Sequence, residues 1–153
     1  MLTACRIVKP RHVEDAFSGE GARIHGGRWN SRGNRMVYTA STVSLATLEL
    51  LVHLPLSEWV RSFAVVHCWF PEALVEELDR KRLPRDWHAY PPPARLQQLG
   101  NEWLQSRASA VLAVPSAVIH EELNYLLNPE HPDSASIDVG EARAFRLDPR
   151  LIT

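Results

Sequence analysis

The chain has 153 residues, about the size of one ordinary domain, and its 45% hydrophobic and 23% charged residues are typical of a globular protein. Its 17 basic and 18 acidic residues leave a formal net charge of −1, so it has no broad positive field to attract nucleic acid or an anionic membrane. We therefore expect one domain over residues 1–153 that binds neither nucleic acid nor a membrane.

The two cysteines and the N-terminal residues indicate the compartment. Cys5 and Cys68 lack the C-x-x-C spacing of a zinc or redox site, so we expect buried thiols in a reducing environment. The N-terminus carries a charge at Arg6 and no long apolar core, which predicts no secretory signal. No apolar run approaches the roughly 20 residues needed to span a bilayer. We expect a cytoplasmic protein.

The N-terminal part of the chain predicts two strands separated by an irregular loop. Apolar and β-branched residues over 3–8 are typical of a strand, which Pro10 ends. Residues 17–35 hold five of the seven glycines and four arginines, a composition that predicts a closely folded loop. Loops of this kind often carry function. Residues 36–40 predict the second strand.

A helix that carries Glu49 follows the second predicted strand. Ser41 or Thr42 supplies its N-cap, and it ends near Pro55. Its apolar side chains occupy nearly the whole circumference, which predicts a buried helix. They are Leu45, Ala46, Leu48, Leu50, Leu51, Val52 and Leu54. An ionised carboxylate in such a helix needs a partner or a cavity, unless Glu49 reaches the surface or pairs with His53 one turn later.

The rest of the chain predicts strands and one further helix, joined by irregular segments. The strands are predicted at 62–70, 109–114 and 142–147, the helix at 94–107, a short helical turn at 71–78, a surface connection at 79–93 and a turn at 128–133. Strands interrupted by helices at irregular intervals favour an α+β fold, with a mixed, mainly antiparallel sheet and flanking helices.

The segment GGRWNS at 26–31 is the most informative part of the glycine-rich loop. Paired glycines let a backbone approach a ligand closely, and the guanidinium of Arg28 suits bidentate recognition of phosphate or carboxylate. Alternatively, Arg28 closes a structural salt bridge and Trp29 only packs, since a short glycine motif is weak evidence.

Other polar or aromatic residues have both a functional and a structural interpretation. Tyr38 could stack on a flat heterocycle or be an ordinary strand tyrosine. Ser116 follows a strand end, where it could face a cleft or cap a helix that begins there. Cys68 sits within an apolar predicted strand, so a thiol nucleophile has little support. The seven histidines lack the spacing of a helical zinc site, so no metal is implied.

Taken together, these residues resemble the RES-domain family, the toxin half of bacterial RES–Xre toxin–antitoxin modules. The blocks that carry the resemblance are RI at 6–7, GGRWN at 26–30, VYT at 37–39, LELLVH at 48–53, VPSAV at 114–118 and NYLLNPEHP at 124–132. One block alone is weak evidence, whereas six in order along most of the chain are strong evidence.

The resemblance implies a set of site residues. The family is named for an arginine, a glutamate and a serine, which fall at Arg28, Glu49 and Ser116, with Tyr38 as the accompanying aromatic. Glu49, Arg28 and Tyr38 would be catalytic: Glu49 would stabilise a cationic ribose, Arg28 would grip pyrophosphate or a ribose oxygen, and Tyr38 would stack on nicotinamide. The implied substrate-binding residues are Arg28, Tyr38, Ser116, Asn124 and Asn128.

The resemblance also implies an activity and a partner. It implies a fold similar to ADP-ribosyltransferase toxins and cleavage of the nicotinamide–ribose bond of NAD⁺, by hydrolysis or phosphorolysis, with arrest of growth. NAD⁺ would be a substrate, and no prosthetic cofactor is implied. The implied partner is an Xre-type antitoxin that covers the active site in a hetero-oligomer. Transfer of ADP-ribose to a protein at the same site and an inactive binding module remain alternatives.

Overall fold

A curled eight-stranded sheet organises the computed structural model, which describes residues 1–55 and 62–152. The strands are β1 (Leu2–Val8), β2 (Val37–Ala40), β3 (Phe63–Phe70), β4 (Val75–Glu77), β5 (Val111–Pro115), β6 (Leu123–Leu127), β7 (Asp138–Val139) and β8 (Arg143–Phe145). Their order is β4-β5-β6-β2-β1-β3-β7, and β8 also pairs with β3. The pair β4–β5 is parallel and the other pairs are antiparallel. The predicted α+β fold with a mixed, mainly antiparallel sheet is confirmed.

Three α-helices flank this sheet in the described ranges. They are α1 (Glu20–His25), α2 (Val43–His53) and α3 (Ala94–Ser106). Short 3-10 turns lie at Pro10–His12, Glu72–Leu74, Arg80–Arg82, Pro132–Ser136 and Pro149–Ile152. Within these ranges, every helix is too short or too polar to cross a bilayer. Of the domain predicted over 1–153, residues 56–61 and 153 lie outside the described residues.

Helix α2 packs on β1 and β2 through the residues near its start. Thr42 caps it by accepting a hydrogen bond from the backbone N–H of Leu45, and Leu45 and Ala46 are buried against the sheet. Leu48 and Val52 are 39% and 61% exposed. The prediction that the whole helix is buried is therefore wrong: only Leu45 and Ala46, near its start, are buried, and Leu48 and Val52, three and seven residues after Leu45 on the same side of the helix, are exposed.

The glycine-rich segment contains helix α1, which the prediction of an irregular loop missed. The glycines stand at its two ends: Gly19 precedes it with a φ of 75° and Gly26 follows it with a φ of 73°. Both values lie in the left-handed region that glycine adopts at little cost. The glycines that suggested an irregular loop therefore mark the two ends of a helix.

Three of the strands, β4, β6 and β7, were also missed by the sequence prediction. The predicted helical turn at 71–78 is a single 3-10 turn followed by β4, which pairs with β5. No helix begins at Ser116; the chain turns instead and returns as β6 at Leu123–Leu127. Strand β6 then pairs with both β5 and β2, so it occupies a central position in the sheet.

Helix α3 packs against the segment 26–31 and fixes its position. Leu96, Leu99 and Trp103 are buried in a cluster that includes Trp29. A Cβ at Gly100 would lie 1.7 Å from the carbonyl oxygen of Trp29, so only glycine permits this approach.

Candidate active site

Glu49 is held by two side chains from distant parts of the chain. The hydroxyl of Ser116 donates to its Oε2 at 3.0 Å, and the amide of Asn124 donates to its Oε1 at 2.9 Å. Burial raises the pKa of Glu49, and the hydrogen bonds from Asn124 and Ser116 oppose that rise. The alternatives of a free surface carboxylate and of a pair with His53 do not hold: Glu49 is a half-buried carboxylate with two fixed donors.

Ser116 both contacts Glu49 and shapes the turn after β5. Its side chain is fully buried, and its Oγ accepts hydrogen bonds from the backbone N–H groups of Val118 and Ile119 at 3.1 and 3.2 Å. The predicted capping role therefore applies to a turn rather than to a helix. Because the oxygen accepts these two hydrogen bonds, the O–H of Ser116 is directed towards Glu49, to which it donates.

Asn124 reaches Glu49 from the centre of the sheet. It lies opposite Ala40 in the β2–β6 pair, on the face covered by α2. Its Nδ2 also donates to the carbonyl oxygen of Thr39 at 3.2 Å, which orients the amide. The assignment of this residue by sequence thus agrees with its position beside Glu49.

Arg28 is bound by the segment that precedes Tyr90. Its Nη1 donates to the carbonyl oxygens of Trp87 and Ala89 at 3.0 and 3.1 Å. Among residues 1–55 and 62–152 it forms no ion pair, so the alternative of a structural salt bridge is wrong. The segment 79–93 is therefore more than a surface connection.

Arg28 and Glu49 share one electrostatic environment without touching. Burial lowers the pKa of the Arg28 guanidinium, and the nearby Tyr38, Glu49 and Tyr90 side chains oppose that change. The positive charge of Arg28 in turn acts to lower the pKa of Glu49. A cation and an anion thus act on each other at a distance, and no ion pair joins them within the described residues. We call the group formed by Arg28, Glu49, Ser116 and Asn124 the candidate crevice.

Tyr38 fixes the glycine-rich loop that carries Arg28. Its hydroxyl donates to Oδ1 of Asn30 at 2.6 Å and accepts from the backbone N–H of Trp29 at 3.0 Å. A Cβ at Gly27 would lie 2.6 Å from this hydroxyl, which explains the glycine. Burial raises the pKa of Tyr38, so the phenol stays protonated at neutral pH. Stacking of its ring on nicotinamide stays a prediction.

Asn30 holds the loop that carries Arg28 through several buried hydrogen bonds, a role that the sequence analysis did not predict. It is fully buried, and its Nδ2 donates to the carbonyl oxygens of Ala22 and Asn34 at 2.8 and 3.0 Å. Gln97 of α3 donates to the carbonyl oxygens of Gly27 and Asn30 at 3.0 and 3.1 Å. An asparagine that ends a glycine-rich motif was the available signal, since such residues often bond to nearby backbone.

Asn128 is not brought to this crevice. It lies four residues beyond Asn124 along the strand direction, about 13 Å at the usual rise per residue. Its Oδ1 accepts from the backbone N–H of Glu130 at 3.0 Å, as a turn residue does. Asn128 lines two surface cavities of about 300 and 150 Å³, and neither is lined by Glu49.

The two cysteines are buried, as predicted, and are poor nucleophiles. Cys5 and Cys68 are 1% and 0% exposed. Burial raises the pKa of Cys5 to about 11 and that of Cys68 to about 12, so both are thiols at neutral pH. Nucleophilic chemistry by Cys68 is therefore unsupported.

Comparison with known proteins identifies the family. A family model for the RES domain matches residues 3–148. The chain belongs to the RES domain family. Toxin Res of Photorhabdus laumondii subsp. laumondii is 39% identical to this RES domain over 148 residues, which are 96% of this chain and 95% of that protein. The Prs ADP-ribosylating toxin of Sphingobium sp. is 40% identical over 141 residues, or 90% of this chain and 88% of that toxin.

The fold of this RES domain also occurs in a solved toxin–antitoxin complex. A chain in the crystal structure of the M. tuberculosis MbcT–MbcA complex matches with a TM-score of 0.79 at 18% identity, covering 99% of this chain and 86% of that one. The resemblance to RES toxins that the sequence motifs predicted is confirmed. In this RES domain, Ser116 bonds to Glu49, and the charge of Glu49 acts on Arg28, although the three residues are far apart in the sequence.

Proposed function

We propose that this RES domain is the toxin of a toxin–antitoxin module and that it cleaves the nicotinamide–ribose bond of NAD⁺, by hydrolysis or phosphorolysis, in the cytoplasm. The observation that carries the proposal is Glu49, a half-buried carboxylate that two neutral donors orient and on which the charge of Arg28 acts. The names of the Res toxins and of the ADP-ribosylating relative support a toxin that uses NAD⁺.

The chemistry of NAD⁺ fits this arrangement. Cleavage turns a cationic nicotinamide ring into a neutral leaving group and leaves positive charge on the ribose, so no general acid is needed. A carboxylate fixed beside the ribose stabilises that charge more strongly in a partly dry crevice than in water. Ser116 and Asn124 donate to Glu49 and so hold its oxygens in position before the substrate arrives.

Arg28 supplies the complementary charge for the other half of the substrate. Its Nη1 is bonded to two carbonyl oxygens, which leaves its remaining N–H groups for a pyrophosphate or ribose oxygen. Because Tyr38 and Asn30 fix the loop on which Arg28 stands, the guanidinium is preorganised rather than ordered by the ligand.

Release of nicotinamide from NAD⁺ by the purified protein, followed by chromatography with and without phosphate, tests the proposal. Glu49→Gln should abolish release while the protein stays folded, since glutamine keeps the size but not the charge. Glu122→Gln is the matched control, because Glu122 is exposed and its charge acts on Glu49 from nearby. A Glu49→Gln protein that consumes NAD⁺ at the wild-type rate would refute the role of Glu49.

Transfer of ADP-ribose to a protein is the second candidate, favoured by the 40% identity to the Prs ADP-ribosylating toxin. The same crevice would be used, with a protein nucleophile in place of water or phosphate. Incubation of bacterial lysate with the protein and labelled NAD⁺, followed by mass spectrometry, separates the two. Modified protein supports transfer, and free ADP-ribose or its 1″-phosphate supports cleavage of the small molecule.

An Xre-type antitoxin that covers the crevice is the proposed partner. The related fold in the MbcT–MbcA toxin–antitoxin complex supports an antitoxin for this chain. Helix α2, which carries Glu49, leaves Leu48 and Val52 exposed, and such apolar side chains are suited to a protein contact. Loss of nicotinamide release on addition of the purified antitoxin tests this assignment.

A further inference from the structure

Two exposed rings lie together at one end of the crevice. Tyr90 is 78% exposed, and its ring centroid lies 6.1 Å from that of His53, with the ring planes at 57°. His53 is the last residue of α2 and stands one turn after Glu49, so the two side chains share a helix face. The ring pair therefore borders the same crevice as the carboxylate.

The backbone that carries Tyr90 is anchored, although its ring projects into solvent. Arg28 donates to the carbonyl oxygens of Trp87 and Ala89, and Ala89 directly precedes Tyr90. The ring of Trp87 packs against the buried cluster under α3 and lies 4.9 Å from the ring of His120. Tyr90 thus combines a fixed attachment with a free aromatic face, which suits a flat ligand.

The position of the two rings relative to Glu49 and Arg28 indicates which flat group they meet. This step rests on the proposed function, in which the nicotinamide ribose lies at Glu49 and the pyrophosphate at Arg28. His53 lies about 6 Å beyond Glu49 along α2, at 1.5 Å per residue. Arg28 donates to the carbonyl oxygen of Ala89, the residue before Tyr90, so Tyr90 stands near the pyrophosphate rather than behind the carboxylate.

We infer that Tyr90 and His53 form a binding site for the adenine base of NAD⁺. In the bound dinucleotide, adenine follows the pyrophosphate and leaves the crevice where these rings lie. Tyr90 stacks on the base, and His53 limits its position from the side of α2. Stacking on an aromatic side chain does not need hydrogen bonds to the edge of the base, so a solvent-exposed ring such as that of Tyr90 can bind adenine.

Calorimetric titration with two probes tests this site. ADP-ribose contains adenine, whereas nicotinamide mononucleotide does not. Tyr90→Ala should raise the Kd for ADP-ribose about tenfold and leave the Kd for nicotinamide mononucleotide unchanged. Tyr90→Phe keeps the ring and should restore the affinity for ADP-ribose. With NAD⁺ as substrate, Tyr90→Ala should raise KM about tenfold and leave kcat within about twofold.

Trp69→Ala is the matched control, because Trp69 is also partly exposed and stacks on a histidine, His67, at 6.2 Å on β3. It should leave both Kd values unchanged. An unchanged Kd for ADP-ribose in Tyr90→Ala overturns the inference, and so does equal weakening of both probes, which would assign Tyr90 to the ribose phosphate that the two probes share. A wild-type protein that binds neither probe and releases no nicotinamide overturns the proposed function itself.

Discussion

Replacing Ser116 by alanine removes three hydrogen bonds from one buried position. The hydroxyl donates to Glu49 and accepts from the backbone N–H groups of Val118 and Ile119. A hydrogen bond to a charged group contributes about 1.5–3 kcal/mol, and a capping hydroxyl contributes about 1 kcal/mol. We therefore expect Ser116→Ala to lower the free energy of unfolding by about 3 kcal/mol, measured by urea denaturation at neutral pH.

The same substitution should change the pH dependence of NAD⁺ cleavage. The proposed reaction needs Glu49 ionised, so its rate should fall as pH decreases through the pKa of this carboxyl group. Burial raises that pKa, and the hydrogen bond from Ser116 acts to lower it. Removal of the hydroxyl raises the pKa further, so the acidic limb of the pH–rate profile for nicotinamide release should move to higher pH.

Thr39→Val separates this electrostatic effect from a general loss of stability. Thr39 is 3% exposed, and its hydroxyl donates to the carbonyl oxygen of Tyr125 at 2.7 Å, without contact to Glu49. It should lower stability by about 1–2 kcal/mol and leave the acidic limb in place. If Ser116→Ala lowers stability but its acidic limb coincides with that of the wild type, the hydrogen bond does not tune Glu49 and the reasoning is refuted.

Two further predictions concern the glycine-rich loop. Gly100→Ala should destabilise the protein by about 3 kcal/mol or more, because the new Cβ would lie 1.7 Å from the carbonyl oxygen of Trp29. Gly21→Ala is the control: its Cβ would meet nothing within 4 Å, so it should stabilise α1 slightly. Thermal unfolding of the two variants measures the difference. Tyr38→Phe should lower stability by about 1–3 kcal/mol, because Asn30 loses a buried donor. It should also raise KM for NAD⁺ as the loop loosens, and an unchanged KM would contradict that role.

The fold was predictable where local patterns and tertiary packing agree. Apolar and β-branched runs gave β1, β3 and β5, and the cap at Thr42 gave the start of α2. Strand β6 was missed because its five residues carry an asparagine and no flanking turn signal before them, so only pairing with two neighbouring strands defines it. Helix α1 was missed because glycine is usually a sign of irregular backbone.

The candidate site was predictable only as a set of residue types. The resemblance to the RES family selected Arg28, Glu49, Ser116 and Asn124, but the sequence contains no measure of the contacts among them. The partners of Arg28 are backbone carbonyl oxygens, which any residue provides, so no pattern could indicate them. Asn128 also lies within a block of residues typical of the family, but its side chain accepts a hydrogen bond in a turn away from Glu49. Membership of such a block therefore does not by itself place a residue in the site.

The long separation between Glu49 and its donors has a consequence for the time at which activity arises. Ser116 and Asn124 lie 67 and 75 residues later in the chain. A nascent polypeptide on the ribosome carries Arg28 and Glu49 well before β6 has been synthesised and can pair with β2 and β5. The arrangement on which the proposed activity depends is therefore completed only late in translation.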